Sequence, residues 1–191
     1  MSQPDVIDLL VGITAGCHLD GLRAQRVQAR DNAQASYLAL FHPAEPVDIS
    51  LVERYAVAVF VAGLHRQPAI TAFYRAGLAA QPDLRLMLDA EIARGATAGP
   101  YGHYPAGPLS AEDKDGPTFT AITDVGPRLA AALAHAHMLV FHPRDASADA
   151  LRTLEAAAWS ATGIVTLSQL VAFLSFQIRV IIGLRALAKA S

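Results

Sequence analysis

DISLVERYAVAVFVAGLHRQPAITAFYRAGL, residues 48–78, carries the signal from which the fold class is read. Apolar side chains fill nearly every position from Leu51 to Leu64 without the strict alternation of a half-buried strand, and the run is too long for an ordinary buried strand. Asp48 or Ser50 is placed to cap the helix that holds Glu53, and Gly63 suits its end or a close approach. After Pro68, apolar residues recur at three and four positions through Ala69–Ala80. With apolar residues recurring at three and four positions in Leu51–Leu64 as well, the stretch predicts two consecutive helices.

Working outward, the same spacing recurs in Leu84–Ala93, Leu129–Val140, Leu151–Ala161 and Ile164–Ala188, with Pro82 and Pro127 where first-turn prolines are tolerated. Ser147 or Asp149 is placed to cap the next-to-last of these. The class read from this pattern is all-α. Between them, Gly95–Pro117 (GATAGPYGHYPAGPLSAEDKDGP) holds five glycines and four prolines, which neither helix nor central strand accepts. Aromatics inside it, Tyr101 and Tyr104 with His103 between them, predict a connector ordered against the domain or a neighbouring subunit rather than a solvated linker. The chain is thus read as one domain: a first helical half over 1–94, the connector over 95–117 and a second helical half over 118–191. Phe41-His42-Pro43 recurs as Phe141-His142-Pro143, and at the same offset Leu51 aligns with Leu151 and Gly63 with Gly163, as two similar halves require.

Composition narrows the function. Of 191 residues, 53% are hydrophobic and 17% charged, and the mean hydropathy is +0.31, more apolar than an ordinary soluble monomer. Heavy use of alanine is one explanation; the other, and the one expected here, is a homo-oligomer with an apolar interface. A net charge of −2 offers no basic stripe for nucleic acid. The single cysteine, Cys17, excludes an internal disulfide and a cysteine-rich zinc site. MSQPDVIDLL at the amino terminus lacks the basic and apolar regions of a signal peptide, and a cytoplasmic protein is expected. Gly163–Leu184 has the length of a membrane span but carries Thr166, Ser168, Gln169, Ser175, Gln177 and Arg179, so a buried or interface helix is expected instead.

Two stretches carry a family resemblance. WSATGIVTLSQLVAFLSFQIRVIIGL, Trp159–Leu184, is similar to the AxFNFxNRxxxGL helix of the peroxidase-related subgroup of the alkylhydroperoxidase AhpD and carboxymuconolactone decarboxylase superfamily. Asp48–Leu78 resembles the first core helices of that superfamily, and YGHYPAGPLSAED resembles the segment joining the halves in the subgroup. The resemblance implies an AhpD-like helical domain. It also locates the peroxidase motif of a glutamate, a Cys-x-x-Cys pair and a histidine. Glu53 matches the glutamate, whereas the cysteine positions fall on His65 and Pro68 and the histidine position on Ala72. Neither His nor Pro can form a sulfenic acid, so this chain cannot run the thiol peroxidase cycle alone, and the histidine that the decarboxylase branch keeps is missing too.

Three functions fit. The first is a binding or accessory protein holding a small hydrophobic ligand near Glu53, His65 and Trp159, with His103 and Tyr101 of the connector as further ligand contacts. The second is a non-thiol peroxidase-like or decarboxylase-like enzyme using Glu53 and His65 as acid and base. The third is a partner subunit of a cysteine-bearing paralogue. For Glu53, among apolar neighbours, a raised pKa suited to proton transfer is set against a salt bridge to Arg54, Arg66 or Arg75. For His65, a relay or anion site with Glu53 is set against satisfaction of helix-end carbonyls. His135 and His137, two residues apart on a helix, face different ways and predict no metal pair. No cofactor is expected.

Overall fold

The structure, a computed structural model, describes residues 4–190 and is built from nine α-helices. These are α1 (Val6–Val11), α2 (His18–Ala24), α3 (Val27–Phe41), α4 (Leu51–Leu64), α5 (Pro68–Arg75), α6 (Pro82–Gly95), α7 (Pro127–Phe141), α8 (Ala148–Ala156) and α9 (Ala161–Ala190). Among the described residues there is no strand, only a lone antiparallel bridge between Gly102 and Lys114. The all-α class therefore stands. Residues 1–3, where the stretch read for a leader begins, lie outside the described residues.

Helix α4 is the hub. Residues 56–62 are fully buried, and α5, α6, α7 and α9 pack around it, as a helix apolar on every side requires. Ser50 starts it with a capping box: its hydroxyl accepts from the Glu53 N–H, and the Glu53 carboxylate accepts from the Ser50 N–H. Arg54, read as a partner for Glu53, is buried and donates instead to the carbonyls of Leu40 and Ile49 at 2.8 and 3.0 Å.

Helix α9 is long and apolar enough to cross a membrane, with 44% of its most apolar window buried. It packs against α1, α3, α4, α7 and α8. At the amino-terminal end, ion pairs of Arg23 with Asp5 (2.7 Å) and Asp8, and of Arg30 with Asp20 (2.9 Å) and Asp8, tie α1, α2 and α3 together.

The repeated Phe-His-Pro turns are alike in backbone. Helices α3 and α7 each span 15 residues, and His42 and His142 end them at φ −133°, ψ 44° and φ −127°, ψ 46°. Beyond the turns the offset fails. Leu51 opens α4 whereas Leu151 lies inside α8, and Gly63 sits near the end of α4 whereas Gly163 lies in the first turn of α9. The predicted helix Leu151–Ala161 is also shorter than expected. Ala158 takes the left-handed conformation at φ 64°, which ends α8, and Ser160 then caps α9 by accepting from the Gly163 N–H at 3.0 Å.

The connector folds onto the second turn. The Tyr101 N–H donates to the Phe141 carbonyl, His142 meets Asp145 and the Pro117 carbonyl at 3.0 Å each, and the His103 N–H donates to Asp145 at 3.2 Å. The Arg144 guanidinium lies 4.1 Å over the Tyr104 ring. Ordering against the domain, expected from the aromatics, is what these contacts provide.

Candidate functional site

Glu53 and His65 stand at opposite ends of α4, in its first turn and at its carboxyl-terminal cap. Twelve residues of helix separate them, roughly 18 Å at the usual rise. The chain does not bring them together as an acid and base.

Glu53 belongs to a structural cluster. Arg128, at the start of α7, donates to its carboxylate at 2.7 Å, donates to the Asp48 carbonyl at 2.7 Å and to the Ala158 carbonyl, and lies 4.0 Å over the Trp159 ring. Trp159 is buried, and its indole N–H donates to the Arg128 carbonyl at 3.0 Å. Ser160 donates to Asp48 at 2.5 Å. Of the two readings of Glu53, a raised pKa or a salt bridge, the structure shows the salt bridge. Partial burial pushes it up, but Arg128 and Ser50 outweigh burial and hold it below the ordinary carboxylate range. The partner is Arg128, not Arg54, Arg66 or Arg75.

Of the connector residues, Tyr101 is buried and its hydroxyl meets Thr97 at 2.8 Å, while His103 is exposed beside Asp115 at 3.2 Å. Both serve the folding of the connector onto the second turn. His137 meets the Gly95 carbonyl at 3.0 Å and stacks on Phe119, whereas His135 turns toward α9. The two rings diverge as their spacing requires. Among the described residues no group of three or more metal-ligating side chains gathers. Cys17 begins α2, where the Asp20 N–H lowers its pKa.

The other end of α4 is different. His65 lines a cleft of about 630 Å³ with Phe141, Ser168, Val171, Ser175 and Arg179, and Gly99 and Pro100 of the connector also line it. Part of the polar capacity of this cleft is unspent. His65 Nε2 is buried without a hydrogen-bond partner among the described residues, and burial together with the nearby Arg179 keeps its pKa below the ordinary imidazole value. It is therefore neutral at pH 7. Arg179 donates to the Ser175 carbonyl at 3.2 Å and has no carboxylate within ion-pair distance among the described residues. Ser168 meets His135 Nε2 at 3.1 Å.

Ser168, Val171, Ala172, Ser175 and Arg179 recur at three and four positions along α9, so one stripe of that helix forms the floor of the cleft. Sequence reasoning weighed Arg179 and Ser168 only as polar residues unsuited to a helix facing lipid. The signal was present as that stripe of small and polar residues, but its partners come from α4, α7 and the connector. His65, Pro68 and Ala72 are divided between two surfaces: His65 lines this cleft, while Pro68 and Ala72 line a separate groove of about 510 Å³ with Arg66 and Arg75. No family model, no curated protein and no solved structure matches this chain.

Proposed function

We propose that this chain is a non-thiol protein of the AhpD-like type that binds a small apolar carboxylate in the cleft between His65 and Arg179. One observation carries the reading: among the described residues, a buried imidazole nitrogen without a hydrogen-bond partner and a guanidinium without a carboxylate partner share an otherwise largely apolar cleft of ligand size. A buried polar group left unsatisfied costs about 1–3 kcal/mol, which a ligand oxygen relieves. Arg179 supplies the charge that a carboxylate seeks, and Phe141, Val171 and Leu139 cover its hydrocarbon part.

The AhpD-like assignment rests on the sequence resemblance and on the matched ends of α3 and α7. Two related halves would pair α4 with α9, each starting on a capping serine, Ser50 and Ser160, with α8 inserted in the second half. The contacts of α9 with five other helices favour its reading as a core helix of a cytoplasmic protein. Exposed Val165, Phe176 and Ile182 on the same helix suit a homo-oligomer, which light scattering on the purified chain tests.

Titration calorimetry with octanoate tests the binding. A saturable site is expected, weakened at least roughly tenfold in Arg179→Gln, the loss of one charge-assisted contact. Absence of saturable binding by octanoate, or equal affinity in Arg179→Gln, overturns the proposal.

A further inference from the structure

We propose that Ser168 and His135 form a nucleophile and general base at one end of the cleft, giving the protein a slow acyl-transfer activity on activated half-esters of dicarboxylic acids. The substrate class rests on the carboxylate-binding reading of the same cleft; the dyad itself rests on separate geometry.

Ser168 lies in the first third of α9, half-buried, in the cleft floor. A helical serine usually returns its hydroxyl to a carbonyl one turn back, as Thr166 does to Thr162 at 2.9 Å. Ser168 instead meets His135 Nε2 at 3.1 Å, within the reach of a nucleophile and its base. His135 projects from α7 behind the serine, is 94% buried by its 6% exposure, and does not itself line the cleft. A ligand therefore meets the hydroxyl first and the imidazole only through it. Burial lowers the His135 pKa, so the ring is neutral and able to take a proton.

The spacing sets the substrate. Arg179 donates to the carbonyl of Ser175, so its head lies near that level, and the seven residues from Ser168 to Ser175 span roughly 10 Å. A carboxylate held at Arg179 thus places a medium-length chain along Val171 and Ala172 with its far end at Ser168.

In the reaction, Ser168 Oγ attacks the ester carbonyl carbon while its proton passes to His135 Nε2. The bond to the leaving oxygen breaks and that oxygen takes the proton from His135. Water then attacks the acyl-serine, again through His135, and releases the dicarboxylic acid with the hydroxyl restored. Among the described residues His135 Nδ1 is buried without a partner, so none of their carboxylates stabilises the imidazolium formed on the way. The activity is accordingly confined to esters with good leaving groups.

Labelling of the full chain with a fluorophosphonate, followed by peptide mass mapping, tests the dyad without need of a carboxylate. The expected result is an adduct on Ser168, absent in Ser168→Ala, slowed at least tenfold in His135→Gln, and accompanied by turnover of mono-p-nitrophenyl suberate. No adduct on Ser168, or equal labelling in a folded His135→Gln, overturns the proposal. Should that variant unfold, the pH profile of wild-type labelling decides: the rate must rise as one group loses its proton below the ordinary imidazole value of about 6.5, and a rate independent of pH overturns it. Octanoate binding without labelling removes the dyad and leaves the cleft; labelling without Arg179-dependent octanoate binding removes the half-ester specificity and leaves the dyad.

Discussion

Arg128 holds Glu53 at 2.7 Å and thereby joins the start of α7 to the start of α4. The same guanidinium covers Trp159 and satisfies the carbonyls of Asp48 and Ala158, so one side chain fastens the origins of three helices. The role of Glu53 is thus architectural. Glu53→Gln keeps the capping geometry, since glutamine serves at the third helical position, but loses the charge facing Arg128. A loss of about 1 kcal/mol in urea unfolding is expected, with octanoate affinity unchanged. A large fall in affinity at unchanged stability would return Glu53 to the binding site.

The depressed Glu53 pKa has a consequence for acid stability. The folded chain holds this carboxylate ionised more firmly than the unfolded chain does, so its contribution is present above the ordinary glutamate value of about 4.3 and is lost as pH falls below it. Histidines act at higher pH. His65, His135 and His137 all have pKa values lowered by burial, so the unfolded chain binds their protons first. Stability is expected to be full above about pH 6.5 and to fall as pH drops through and below that value, in a window distinct from that of Glu53. Urea midpoints measured between neutral pH and pH 5 check this; a midpoint constant across that range would contradict the buried, neutral state of the three rings.

Much of the fold is legible in the sequence because its central helix is apolar all round and its caps are local. Ser50, Ser147, Pro82 and Pro127 take the positions their chemistry suggests. Helix α3 gave no such signal: its exposed residues include Val27, and its buried face, Ala33, Tyr37, Leu40 and Phe41, is concentrated toward one end. Its place is set by packing on α4 and α9 and by ion pairs across a distance in sequence, such as Arg30 with Asp8 and Asp20. The site was less legible for the same reason. His65 is singled out in the sequence by its place at the end of an apolar helix beside Arg66 and Gln67, but Arg179 and Ser168 acquire meaning only where α9 passes the end of α4. Glu53 was assigned a neighbour in sequence and found one 75 residues away.

Gly116 offers a test of the connector as a structural element rather than a spacer. A Cβ at this position would overlap the Tyr101 ring, which is itself buried, pinned by its N–H to the Phe141 carbonyl, by its hydroxyl to Thr97 and by the Lys114 ammonium 5.2 Å from its centroid. Gly116→Ala must therefore displace either the tyrosine or the 116–117 backbone, whose Pro117 carbonyl meets His142. Overpacking of this kind costs about 1–3 kcal/mol. Because Gly99 and Pro100 of the same connector wall the cleft, the damage is expected to reach ligand binding as well as stability. Hydrogen exchange on Gly116→Ala should show faster exchange of the Tyr101 and Gly102 amides while those of α4 keep their protection, and octanoate affinity should fall with it. Unchanged exchange at Tyr101 would mean that the connector accommodates the methyl group elsewhere and that the tyrosine does not anchor it.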